Sequence, residues 1–231
     1  MSHFLDYCDN GDLKRVKQIS ERWNVDFNWG LNCACRGGHL NVVKFLIEKG
    51  ANCFDEGMTQ ACSGGHIDIV KFLMEKGGND FHWCMMNACE GGHLEIVKLM
   101  TKHGANDWNS GLFHACCGGQ LEIVKFMISH GANDLDGGMF YAFKGGHVHV
   151  IKFLIRKGVC PIWTDQEITF ELFDCLSFQE LKTYATPKNA PQIVLNIIST
   201  RIRKFLLSFI RSHILLSENL FPVLNRFIKF K

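Results

Sequence analysis

The chain has 231 residues, 47% hydrophobic and 21% charged, with 22 Gly, 4 Pro, 11 Cys and a formal charge of +2. That composition excludes a disordered, collagen-like or strongly acidic chain. A chain of this length buries a core of ordinary size without disulfides or a structural metal, so the cysteines need another explanation.

The opening segment, residues 1–10, has neither a basic n-region nor an apolar h-region, and no run approaches ~18 uncharged apolar residues. The expectation is a chain without signal peptide or spanning helix, cytoplasmic or nuclear, with reduced thiols. Asn10-Gly11-Asp12-Leu13 then opens a unit whose second helix, around Lys14 to Gln18, is polar. This suits an N-terminal capping repeat over residues 1–30.

Five units follow over residues 31–165, beginning GGHLNVVKFL at Gly37, GGHIDIVKFL at Gly64, GGHLEIVKLM at Gly91, GGQLEIVKFM at Gly118 and GGHVHVIKFL at Gly145. The period is 27 residues, without insertion. Each unit predicts two antiparallel helices. The first is short, as in Leu112 to Gly118, and ends at a glycine pair because glycine accepts a left-handed backbone. The second, about Glu122 to His130, carries Ile123, Val124, Met127 and Ile128 at the spacing of one buried stripe, and Gly131 closes it. Ala34, Ala61, Ala88, Ala115 and Ala142 are small where helices must approach, and Val16, Val43, Val70, Val97, Val124 and Ile151 pack the second helix. Phe27, Phe54, Phe81, Trp108, Leu135 and Ile162 form an apolar column that is expected in the connecting loop.

A degenerate unit occupies residues 166–187, where Ser177 and Glu180 have capping-box spacing. All four prolines follow the last clear repeat. Residues 188–231 predict one helix from Pro191 to about Leu216 and another from Phe221 to Phe230. This segment carries eight Lys or Arg against one Glu (+7), whereas residues 1–187 carry 17 against 22 (−5). It is expected to cap the open end of the repeat stack with its apolar faces. The alternatives are an anionic membrane surface, a nucleic acid, or dimerisation, with Arg201, Arg203, Lys204 and Arg211 as the basic surface.

The pattern G-H-L-E-I-V-K-F-L-I-x-x-G-A-N, preceded by A-C-x-G, resembles the ankyrin repeat. A standard unit has about 33 residues. The residues missing here fall where that family carries its β-hairpin finger, between Ala105 and Leu112. The resemblance therefore implies an all-α, finger-less helical solenoid with a C-terminal helical cap, whose first helices line a concave side. Compressed repeats of this kind resemble those in proteins of large DNA viruses, which implies a host protein as partner and the host cytoplasm as location. Poxviral relatives of the family often end in an F-box-like segment, and no Leu-Pro opening supports one here.

The repeated columns hold the residue types that could carry chemistry. Cys8, Cys35, Cys62, Cys89 and Cys116 stand 27 residues apart, and stacked helices lie ~8–10 Å apart. Neither a disulfide nor a zinc site spans that distance, so these thiols are expected to be small core residues. Cys117 alone is expected to be exposed. His39, His66, His93 and His147 share a column with Gln120 and Asp12, which fits hydrogen bonding to loop backbone between repeats. His114 with Cys117 could form a nucleophile pair, but the sequence offers no orienting third group and no HExxH, GxSxG or phosphate-loop motif. The lysine column Lys17, Lys44, Lys71, Lys98, Lys125 and Lys152 is partly neutralised by Asp68, Glu95 and Glu122, as on a solvated face. No catalytic residue, metal ligand or cofactor is expected.

Recognition is expected instead where columns vary while the scaffold repeats. These positions are Trp29, Glu56 and Trp83, placed in loops, and Arg36, Ser63, Glu90, His114, Cys117, Tyr141 and Lys144 on the first helices. Their mixed charge and aromatic content suit a non-enzymatic scaffold that binds another protein.

Overall fold

A computed structural model describes residues 2–159, within a unit spanning Met1–Pro161. The degenerate repeat at 166–187, the helices expected beyond Pro191, the column residue Ile162, and Arg201, Arg203, Lys204 and Arg211 lie outside the described residues.

The described residues form twelve α-helices and no strand. They pair as α1 (Ser2–Asp9) with α2 (Leu13–Arg22), α3 (Phe27–Gly37) with α4 (Leu40–Glu48), and α5 (Phe54–Gly64) with α6 (Ile67–Glu75). The remaining pairs are α7 (Phe81–Gly91) with α8 (Leu94–Lys102), α9 (Trp108–Cys117) with α10 (Leu121–Ser129), and α11 (Leu135–Lys144) with α12 (Val148–Arg156). Odd-numbered helices are the first of each unit and even-numbered ones the second. The second helices fall within a residue of the span read from their apolar stripe, and no strand stands between units.

The first helices begin about a turn earlier than expected. Phe27, Phe54, Phe81, Trp108 and Leu135 are the first helical residues of α3, α5, α7, α9 and α11, not loop residues. Trp29, Glu56, Trp83, Ser110 and Gly137 therefore sit in a helical first turn. The physical cause is a cap. Asp26 Oδ1 accepts from the backbone N–H groups of Asn28 and Trp29 at 2.9 and 3.0 Å, and Asp80, Asp107 and Asp134 do likewise for Trp83, Ser110 and Gly137. Such a side chain satisfies amides that the helix leaves without partners.

Packing divides the helices into two layers. Each first helix lies along the first helix of the next unit, while second helices of neighbouring units touch sparingly. The alanine column and the cysteine column are fully buried at this tight contact, as are Gly30, Gly57, Gly111 and Gly138. A Cβ on Gly57 would meet Cys35 Sγ at 3.3 Å. Val43, Val70, Val97 and Val124 close the core from the second helices. Each fully buried Leu or Met, such as Leu46 or Met85, contributes about 1.5–3 kcal/mol relative to exposure.

The glycine pair performs two different tasks. Gly119, the second of its pair, has φ +73° and so supplies the left-handed turn. Gly118, the first, has φ −82°, but a Cβ there would drive into the Glu90 carbonyl of the preceding unit.

Candidate interaction surface

Two hydrogen-bond ladders set the spacing from unit to unit and so position the surface residues. In the first, the Nε2 of His39, His66, His93 and His147 donates to the carbonyl oxygens of Asp9, Arg36, Ser63 and Cys117 at 2.7–2.9 Å. Gln120 Nε2 makes the equivalent bond to Glu90 at 3.2 Å. These imidazoles are joints of the scaffold, as their column pattern suggested. In the second ladder, the second residue of a first helix accepts from the loop of the next unit. Asn28 Oδ1 takes the N–H of Asn52, Asp55 Oδ1 those of Asn79 and Asp80, and Asn109 Oδ1 those of Asn133 and Asp134. Sequence reasoning missed this ladder, although the polar column at 28, 55, 82, 109 and 136 was its signal.

The surface rests on this frame. Trp29, Glu56 and Trp83 are each the third residue of their helix and are exposed. Arg36, Ser63, Glu90 and Lys144 are exposed near the ends of α3, α5, α7 and α11, whereas His114, Cys117 and Tyr141 are half-buried. The ladder brings some of these together. Arg36 reaches back one unit to Asp9, with Nη2 3.0 Å and Nε 3.2 Å from Oδ1. His114 Nδ1 lies 2.9 Å from Glu90 Oε2. Phe113 stacks on Tyr141 at 5.2 Å between ring centroids, and Phe140 meets Tyr141 edge-on at 5.5 Å. Phe113 and Phe140 stand in one column, which carries Asn32, Thr59 and Met86 in the earlier units. Together with Tyr141 they form an aromatic cluster across two units.

The two layers also differ in charge. Arg36 and Lys144 are the only Lys or Arg on the described first helices, facing ten carboxylates on those helices and their caps. Second helices, with Asp12 and the turns that close them, hold fourteen Lys or Arg against seven carboxylates. Two of the three expected neutralising pairs are present, Lys98 with Glu95 at 2.8 Å and Lys125 with Glu122 at 2.6 Å. Other lysines lie over rings of the next unit, Lys17 over Phe45 and Lys44 over Phe72. The loose second layer leaves an open groove of about 410 Å³ lined by Ile67, Lys71, Lys98, Leu99, Phe126 and His130.

Thiol chemistry finds no support in the geometry. Burial pushes Cys8 and Cys116 up to about 12, and raises Cys35 and Cys89 as well. Cys62 is raised first by a hydrogen bond to Cys84, then by burial. A thiol held protonated is neither a nucleophile nor a ready ligand. Cys33, in the column that holds His114 and Tyr141 in later units, is buried, and Cys53 is half-buried like Cys117. Glu90 orients His114, a partner the sequence did not reveal, but no hydrogen bond joins that imidazole to Cys117 among the described residues. No group of three or more His, Cys, Asp or Glu is placed to hold a metal, and no helix is long and apolar enough to cross a membrane, again among the described residues.

A family model described as ankyrin repeats (3 copies) matches residues 5–82 and 85–165. Ankyrin repeats are general protein–protein interaction modules, and proteins built from them are typically non-enzymatic scaffolds. A search of curated proteins returns no match.

Proposed function

The chain belongs to the ankyrin-repeat family, and from that premise we propose that it is a non-enzymatic scaffold binding a partner protein on its first-helix layer. One observation carries this reading. Of the four large apolar side chains most exposed among the described residues, Trp29 (61%), Trp83 (54%) and Phe140 (44%) lie on first helices, in columns that change from unit to unit. Exposed aromatic side chains on a rigid frame are common anchors of protein interfaces, because little conformational entropy is lost when they are covered. The remaining one, Trp23, caps α2 in the terminal unit.

The compressed 27-residue unit and its resemblance to repeats of large DNA viruses support a host protein as the partner. Eleven cysteines, with several thiols held protonated by burial, support a reducing compartment, cytoplasm or nucleus. A second reading, binding of nucleic acid or anionic membrane through Arg201, Arg203, Lys204 and Arg211, is favoured by the +7 charge of residues 188–231. It predicts binding that falls steeply with salt.

Affinity capture with the full chain tests the first reading. The comparison variants replace Arg36, Glu90, His114 and Lys144 with Ser in one case, and Lys44, Lys71 and Lys98 with Ser in the other. A protein lost only from the first variant supports the first-helix layer. A ligand retained by both variants but lost on neutralising Arg201, Arg203, Lys204 and Arg211 moves the function to the basic segment.

A further inference from the structure

The first-helix layer carries a more specific pattern than a mixed surface. Trp29, Glu56 and Trp83 occupy one column, the third residue of α3, α5 and α7, and these helices pack successively on one another. All three side chains are exposed. In the next two units the column holds Ser110 and Gly137, and the Phe113 ring fills the space of a Gly137 side chain, with Cε1 2.6 Å from where a Cβ would stand. The stripe is thus aromatic, acidic, aromatic, and then ends.

Glu56 differs from the carboxylates around it. Asp26 and Asp80 are engaged as helix caps, Asp55 holds the Asn79 and Asp80 amides, Asp9 pairs with Arg36, and Glu90 with His114. Among the described residues the Glu56 carboxylate makes no ion pair or hydrogen bond, and two exposed indoles flank it along the stack. The surrounding layer has ten carboxylates against two cations. A polyanion would be repelled there, whereas a basic segment is complementary in sign.

Resting on the first-helix reading above, we infer that Trp29, Glu56 and Trp83 form a docking stripe for an extended, basic segment of the partner protein. A Lys or Arg sits on Glu56 and apolar side chains cover the two indoles. The spacing sets the register. Packed helices lie ~8–10 Å apart, and a segment in the extended polyproline II conformation advances ~3.1 Å per residue with three residues per turn, so residues three apart share one face and span about one unit. The segment therefore reads apolar, two spacers, Lys or Arg, two spacers, apolar.

The experiment is selection of a random library of peptides about 12 residues long, enough to cross three units at ~3.1 Å per residue. The selection uses immobilised full-length protein, and the enriched peptides are then assayed by fluorescence anisotropy. The expected result is a Lys or Arg with apolar residues three positions to either side. Affinity should fall about tenfold or more with Glu56→Lys, and by a similar factor with Trp83→Ser. A peptide with its basic residue changed to Glu should regain binding to the Glu56→Lys protein, which a purely structural loss would not produce. Enriched peptides without a basic residue, indifference to Glu56→Lys, or no enrichment at all overturns the inference. Peptides indifferent to Glu56→Lys but lost when Arg36, Glu90, His114 and Lys144 become Ser overturn the basic-segment inference alone. Peptides indifferent to both overturn the first-helix reading as well.

Discussion

The first and second helices of this stack solve opposite problems with the same 27-residue period. Second helices repeat almost the same residues, bury Val or Ile at fixed points, and project lysines into water. First helices press against one another through alanine, cysteine and glycine while their exposed columns change from unit to unit. Close contact and sequence variation thus occur on one helix, on opposite faces of it. The buried face fixes the frame with side chains too small to interfere, so the exposed face can change without disturbing the stack.

The largest expected effect lies at the tight layer. Gly118→Ala places a Cβ 2.9 Å from the Glu90 carbonyl carbon and closer still to its oxygen. Backbone of the neighbouring unit cannot move aside as a side chain can, so this change should cost about 3 kcal/mol or more in urea unfolding of the full chain. Gly104→Ala meets no atom within 4 Å and suffers only its φ of +99°, a cost of about 1–2 kcal/mol. Equal losses at the two glycines would show that contact between units does not control stability.

A smaller effect is expected at the histidine ladder. His93→Ala removes a single bond to the Ser63 carbonyl and should cost about 1 kcal/mol, while His93→Gln should cost less than about half of that. The molecule already makes the second exchange, at Gln120. A large loss with Gln would mean that the ring contributes something beyond its N–H.

How much of this was legible depended on which contacts fall within the repeat. The period, the second helices, the buried valine column and the histidine joints all recur at one spacing, so the sequence displayed them. The first-helix starts were misplaced because Phe27 and Trp108 read as loop anchors, while the cap signal, Asp26, Asp80, Asp107 and Asp134, sits in a loop whose aspartates look merely soluble. Cys53 occupies that cap position in one unit and breaks the column further. The Arg36–Asp9 and Glu90–His114 contacts could not be read, because each joins unrelated residue types 27 and 24 positions apart. Only stacking brings them together. Of the candidate surface positions, exposure of Trp29, Glu56 and Trp83 followed from their variability, but their common place on three helical first turns did not.

The caps provide a test at a similar scale. Asp107→Ala should lose about 1 kcal/mol, and Cys53→Asp should gain about as much by supplying the cap that α5 lacks. The amide of Ser110, with its hydroxyl, holds Asp107 below its ordinary value of 3.8. A depressed value means the folded state favours the carboxylate. Its contribution is therefore complete above that ordinary value and is lost as pH falls through the lower folded one. Unfolding of the parent and of Asp107→Ala should accordingly converge on acidification below it, and parallel curves would show that the cap is not the source of the difference.

The least effect is expected on the second-helix lysines. Lys125 and Glu122 meet at 2.6 Å, yet both side chains are largely in water, at 45% and 75% exposure. Water screens the attraction, and holding two long side chains in one geometry costs entropy that offsets much of what remains. Lys125→Gln should therefore leave the Tm and the affinity of any first-helix ligand unchanged. A clear drop in Tm would mean that this exposed pair within α10 helps to hold the second layer. The two layers would then share the work of holding the stack, and the division between a structural inner contact and a solvated outer one would not stand.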